Sequence, residues 1–325
     1  MSVIRPESLR GGPNPVVLDR ETACRDVEKH FASELAVIRH LTDYGTHLFC
    51  RCMKCSERSL TDLVILGVLL KQNIGMLDGL DTLLRRGCVD PAYLQLRSMF
   101  EASIYVDWIL SKDSELRASA YYVSDLRRIM VWINRYDPST NEYRRFRESM
   151  GSISVSDAAD DRVARWRQQR AEIESLLKDQ RFADLNSRFE KEKASLKRES
   201  AWYVPLLAKG LKKSFYALVK ELDRVDMYVT IYGPSSEMAH SANFRSHIEV
   251  ADGKAIYKPL RSLLDLPKVV GLALQVQVVF YRRIIEAYRP EEVQAFAKKY
   301  VEEWRNTLLN PKSVTQPAPR RWLQL

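Results

Sequence analysis

Apolar side chains return every three or four residues along nearly the whole of this 325-residue chain, which is the spacing of a helix face and not of a strand. In residues 21–49 they fall at Val27, Phe31, Leu35, Ile38, Leu41 and Leu48. A second helix is expected over 59–86, with Gly87 as its stop. A third opens on Asp90-Pro91, an N-cap acid followed by proline at the first helical position, and runs to 110. The fourth starts at Asp113 or Ser114 and ends at Tyr136, before Asp137-Pro138. The period resumes over 206–232, halts at Gly233-Pro234, restarts after Ser235 or Ser236, and continues over 267–288 and 290–309. Only residues 248–257, with Asp252-Gly253 as the turn, read as a short hairpin.

The expected fold is therefore all-α, a multi-helix bundle with halves at 20–140 and 201–309. Between them, residues 141–200 carry 14 basic and 12 acidic side chains and few large apolar ones. Mixed charge at that density suits long solvated helices, so this segment is expected to be a projecting helical hairpin or coiled-coil arm that need not bury much. A break at 151–157 separates it from the fourth helix. Residues 310–325 hold three prolines and no period, and are expected to be a flexible tail.

With 46% apolar and 29% charged residues, the composition is that of a soluble globular protein, not of a disordered chain or a disulfide scaffold. The first 15 residues lack the apolar run of a secretory leader, and the longest uninterrupted apolar stretch, 63–70, is far short of the roughly 20 residues of a bilayer span. A cytoplasmic protein with no membrane partner is expected. Of the net charge of +9, residues 201–325 carry +7. Lys209, Lys212, Lys213, Arg245, Lys254, Lys258 and Arg261 would supply a surface for an anionic partner, or simply a scattered solvated face.

No P-loop, dinucleotide fingerprint, nucleophile elbow or HExxH occurs, which argues against Walker-type hydrolysis and dinucleotide redox chemistry. Cys50, Cys52 and Cys55, with His47 before them, are a compact set of zinc-type ligands. No second CxxC or HxxxH pairs with them, and a helix end is a common place for small buried thiols. No metal and no cofactor is expected.

The third helix carries apolar residues at 94, 96, 99, 100, 104, 105, 106, 108 and 109, on every side, as a helix surrounded by others would. Arg97 and Glu101 sit one turn apart on that rod. An unpaired charge in such a place costs several kcal/mol, so the two bond each other, meet further polar groups or open into a wet pocket. Either a polar pocket that binds an anion or a structural ion pair satisfies this requirement. Later in the chain, Ser236 and His240 are one turn apart. His240 is either a proton carrier whose tautomer Ser236 holds, or a core histidine satisfied by that hydroxyl.

The run Leu83-Leu-Arg-Arg-Gly87, then Leu96-Arg97-Ser-Met-Phe-Glu101-Ala, Trp202, Tyr228, Tyr232, Ser236 and His240 resembles the bacterial family catalogued as domain of unknown function 5677, over roughly residues 25–285. The resemblance implies a helical bundle in which Arg97, Glu101 and His240 converge as the catalytic set. Ser236, Tyr232, Tyr105 and Trp202 are then expected to orient or bind. It also invites comparison with HEPN-type ribonucleases, effectors of defence and toxin systems in which Arg and His act on RNA phosphate. This chain departs from their R-x4-6-H helix, since Arg97 and His240 are far apart. The literal match Arg25 to His30 is of a kind chance alone produces about once or twice in such a chain. The expected function is metal-independent cleavage or binding of RNA, or of another phosphate-bearing ligand. The alternative is a non-enzymatic scaffold or sensor that binds a protein partner, or a second copy, through residues 141–200.

Overall fold

A computed structural model describes residues 3–4, 17–54, 58–150, 160–208, 210, 212–240, 247–251 and 254–315. The fold is all-α, and its contacts group the chain into two compact units. The first comprises residues up to 58, 66–110 and 218 onward; the second comprises 59–65 and 111–217.

In the first unit, α1 (Arg20–Lys54) buries the face read from the sequence, with Phe31, Leu35, Ile38, Leu41 and Leu48 all within 1% of full burial. It packs on α11 (Leu266–Tyr288), which buries Val269, Ala273, Val276, Phe280, Ile284 and Ile285. Glycine makes this approach feasible. The Tyr281 hydroxyl, fully buried, donates to the Leu41 carbonyl at 3.0 Å, in the notch that Gly45 leaves on the next turn of α1. A methyl group at Gly45 would overlap that hydroxyl and crowd Ile74.

Helix α2 (Leu60–Arg85) ends in the left-handed Gly87, φ 68°. The amides of Gly87 and Cys88 return to the Leu84 and Leu83 carbonyls at 2.9 Å each, a Schellman cap that glycine adopts without a Cβ penalty. Although its longest uninterrupted apolar run is short, the stretch Thr61–Arg85 as a whole is long and apolar enough to cross a bilayer, and half of its apolar window is buried inside the protein. Helix α3 (Val89–Ser111) follows directly.

The helix expected over 206–232 is broken. It becomes α8 (Phe215–Glu221), a left-handed Asp223 and α9 (Val225–Met227), which runs into a π turn, Tyr228–Tyr232, and on into α10 (Gly233–Ala239). Gly233-Pro234 therefore does not stop the helix. Pro234 has no N–H for the carbonyl one turn back, and the wider turn, closed by the Gly233 amide on the Tyr228 carbonyl, accommodates it.

The expected hairpin is present as β1 (Ile248–Ala251) against β2 (Lys254–Tyr257), antiparallel with Ala251 opposite Lys254. Its turn residues, 252–253, lie outside the described residues, as do 316–325 of the expected tail. Residues before that point are anchored. Ser313–Val314 pairs in parallel with Val3–Ile4, and Lys312 reaches Glu34 at 2.8 Å and the His30 carbonyl.

The second unit holds α4 (Ser114–Tyr136), α5 (Asn141–Met150), α6 (Asp160–Lys178) and α7 (Ala183–Leu196). The charged segment packs on α4 and buries Val163, Ile173, Leu177, Phe182, Leu185 and Phe189, more than its composition leads one to expect. Charge is internal as well. Arg127, 6% exposed, donates to both oxygens of Glu199 at 3.0 and 3.1 Å, to Asn186 at 2.7 Å and to Glu190 at 2.6 Å. Such a pair of charges is tolerated inside because nearly every donor of the fork finds an oxygen.

Candidate functional site

Helix α3 is not apolar on every side. It leaves open one stripe, Leu94, Arg97, Ser98, Glu101 and Tyr105, whose spacing of three and four keeps them on one face. All other positions from 99 to 109 are buried. The side chains of Arg97 and Glu101 are 21% and 29% exposed, so the pair lies at the edge of solvent, not sealed in a core.

Arg97 Nε donates to Glu101 Oε1 at 2.9 Å, the i,i+4 pair read from the sequence, and Nη2 donates to the Tyr232 hydroxyl at 2.8 Å. The guanidinium also lies 4.3 Å from the centre of the Tyr232 ring. Tyr232 in turn stacks on Tyr228, with centroids 4.8 Å apart and an interplanar angle of 16°. Guanidinium and two phenol rings thus form successive layers, and the π turn carries both rings. Burial alone would weaken the Arg97 charge, but the hydrogen bond to Glu101 and the nearby Tyr232 and Glu101 outweigh it, and the guanidinium pKa is raised. Burial likewise raises the Tyr232 pKa against the opposing pull of Arg97, and the hydroxyl that accepts from Arg97 keeps its own proton.

The segment that carries Tyr232 also carries Ser236 and His240. Ser236 is half-buried in α10. His240 caps the C-terminus of that helix, its amide on the Ser236 carbonyl at 3.1 Å and its exposed ring without a hydrogen bond to any described residue. Ser236 therefore does not hold the imidazole tautomer. The buried hydroxyl of this helix is its neighbour Ser235, which donates to the Ile231 carbonyl at 2.6 Å. Arg97, Glu101 and Tyr232 are thus joined by direct bonds, Tyr105 shares their stripe one turn on, and His240 stands two turns past Tyr232 without a bond to them. Trp202 belongs to the second unit, where it is 7% exposed and meets Tyr121 edge-on at 5.2 Å.

One charged group of α3 escaped the sequence reading. Asp107, 8% exposed, faces Arg224 at 3.7 Å and Arg283 at 3.6 Å, and burial raises its pKa although both arginines pull it down. Its place in the apolar run Val106-Asp107-Trp108 was the available signal.

The thiol cluster splits around α1. Cys50 is exposed, Cys52 is fully buried with its pKa pushed by burial up to about 12, and Cys55 lies outside the described residues. Among the described residues, no three His, Cys, Asp or Glu side chains group as metal ligands.

A family model, described as a family of unknown function (DUF5677), matches residues 63–255. That stretch is narrower than the span expected from the motifs and contains all of Arg97, Glu101, Tyr105, Trp202, Tyr232, Ser236 and His240. No curated protein matches the chain, and no solved structure does.

Proposed function

The chain belongs to the family of unknown function DUF5677, and on that footing we propose that it binds and cleaves RNA at Arg97, in the manner of a HEPN-type effector. The observation that carries this reading is the guanidinium held from two sides at the edge of solvent, Glu101 on one edge and Tyr232 on another. A purely structural ion pair needs neither the phenol nor the open stripe. An arginine whose fork is already oriented offers its remaining donors to an anion at little cost in side-chain entropy.

In the proposed reaction, His240 takes the proton of a ribose 2′-hydroxyl as that oxygen bonds to the adjacent phosphorus. Arg97 stabilises the charge that grows on the phosphoryl oxygens. The bond to the 5′-oxygen breaks, and the imidazolium returns its proton to the leaving oxygen, giving a 2′,3′-cyclic phosphate and a 5′-hydroxyl. Glu101 and Tyr232 keep the guanidinium aimed. No step calls for a metal. A cytoplasmic enzyme of this kind suits a defence or toxin system, because indiscriminate RNA cleavage halts the cell that makes it.

The test is cleavage of single-stranded RNA, with end-group analysis, by the wild type, Arg97→Ala, His240→Ala and Tyr232→Phe in the presence of chelator. We expect activity to survive chelation, to fall by about a hundredfold or more without Arg97 or His240, and to fall less with Tyr232→Phe. Equal cleavage by all four proteins removes the proposal. Because the Glu101 side chain is partly exposed, Arg97→Ala should cost only about 1 kcal/mol of stability, well below the roughly 3–5 kcal/mol of a sealed pair.

A further inference from the structure

Helix α4 presents an exposed stripe at Arg128, Trp132 and Tyr136, four residues apart. Trp132 is 48% exposed and Tyr136 38% exposed, unusual for side chains of that size in a unit that has a core available. Their rings lie nearly parallel, 20° apart with centroids 6.2 Å from one another. Tyr136 is fixed from behind, since Phe146 of α5 meets it edge-on at 5.8 Å and Trp166 of α6 lies tilted against it at 5.5 Å. The two rings therefore form a platform whose orientation three helices set.

Cations surround it. The Arg135 guanidinium sits 4.9 Å over the Trp132 ring, Arg128 is 75% exposed beside Asp125, and Arg144 and Arg145 are exposed on α5 next to Phe146. Asp125 on α4 pairs with Arg128, and Asp137, just past the end of the helix, is engaged by Arg167 at 3.0 Å and Arg170 at 3.3 Å. Glu142 and Glu148 on α5 offset part of the charge and leave arginine in excess. Flat exposed rings with interleaved guanidinium groups are complementary to unpaired bases joined by phosphates: the rings stack on bases of any sequence, and the arginines follow the backbone. A duplex, whose bases are already stacked, offers nothing to the rings.

We infer that the α4–α5 face of the second unit is a binding surface for single-stranded nucleic acid, with Trp132 and Tyr136 as the stacking platform and Arg128, Arg135, Arg144 and Arg145 as phosphate contacts. The inference extends the reading of the protein as one that acts on RNA and does not depend on cleavage at Arg97. A deoxy probe separates the two, because without a 2′-hydroxyl the cleavage step cannot proceed.

Binding of labelled oligothymidine and of a duplex of the same length is measured by fluorescence anisotropy across a salt series, on the full chain. The wild type should bind the single strand in preference to the duplex, with affinity falling as salt rises. Trp132→Ala should weaken binding about tenfold, the loss of one stacked base. Trp132→Phe should keep most of the affinity while removing the tryptophan quenching that accompanies binding. Arg135→Gln should lower the slope of log affinity against log salt by about 1. Because Trp132 is half-exposed, its removal leaves the unit folded, which circular dichroism checks. Equal binding by the wild type and Trp132→Ala, preference for the duplex, or no binding of either oligonucleotide overturns the inference and leaves this face to a protein partner.

Discussion

At the scale of single residues, the chain uses absences as much as side chains. Gly45 matters for the methyl it lacks. The Tyr281 hydroxyl occupies that space and takes the Leu41 carbonyl as acceptor, and every group involved is buried. Gly45→Ala should therefore cost about 3 kcal/mol, from overpacking together with a displaced hydrogen bond. In the Tyr281→Phe background the same substitution should cost distinctly less, because the two changes share one space. Thermal unfolding of the four proteins measures the coupling, and strictly additive losses would show that the hydroxyl and the notch are unrelated. Arg97 and Glu101 were legible for an equally local reason, since charges four apart on a helix meet whatever surrounds them. Asp107 was missed because its partners, Arg224 and Arg283, come from distant segments that no local spacing reveals.

At the scale of elements, amphipathic periodicity predicted α1 well because it must bury a continuous face, and start and stop residues placed α3 and α4. It failed at the π turn. Apolar spacing through residues 228–232 is the same for an α and a π turn, and the choice follows from how Pro234 and the Gly233 amide are satisfied, which is tertiary detail. That turn is the element that brings Tyr232 to Arg97, so the site was half-visible: its pair on α3 came from spacing, while its phenol came only with the family resemblance. Periodicity also undervalued residues 141–200, whose core is small and whose charges are in part structural. The fully buried Asp137 illustrates this. Burial pushes its pKa up, but hydrogen bonds from Arg167 and Ser139 outweigh that and hold it below its ordinary 3.8; Glu199, bonded by Arg127 and Lys193, is lowered in the same way. A carboxylate whose folded pKa is depressed stabilises the fold above its unfolded pKa and loses that contribution as pH falls through the folded value. Asp137→Asn should accordingly lower stability by about 2 kcal/mol at neutral pH, and the difference from the wild type should shrink as pH is taken below about 4. Urea unfolding at a series of pH values checks this, and a difference independent of pH would contradict it.

At the scale of the whole molecule, the first unit holds Arg97, Glu101, Tyr232 and His240, and the second holds the exposed Trp132 and Tyr136 with the arginines around them. The central claim is that Arg97 and His240 act on one phosphodiester, and a double-mutant cycle on kcat/KM for RNA cleavage tests it most directly. If both serve one transition state, the protein carrying Arg97→Ala and His240→Ala together should be little worse than the poorer single variant, since groups that act as a unit do not lose independently. Losses that multiply, or a single variant that cleaves as the wild type does, would mean that no such shared site exists.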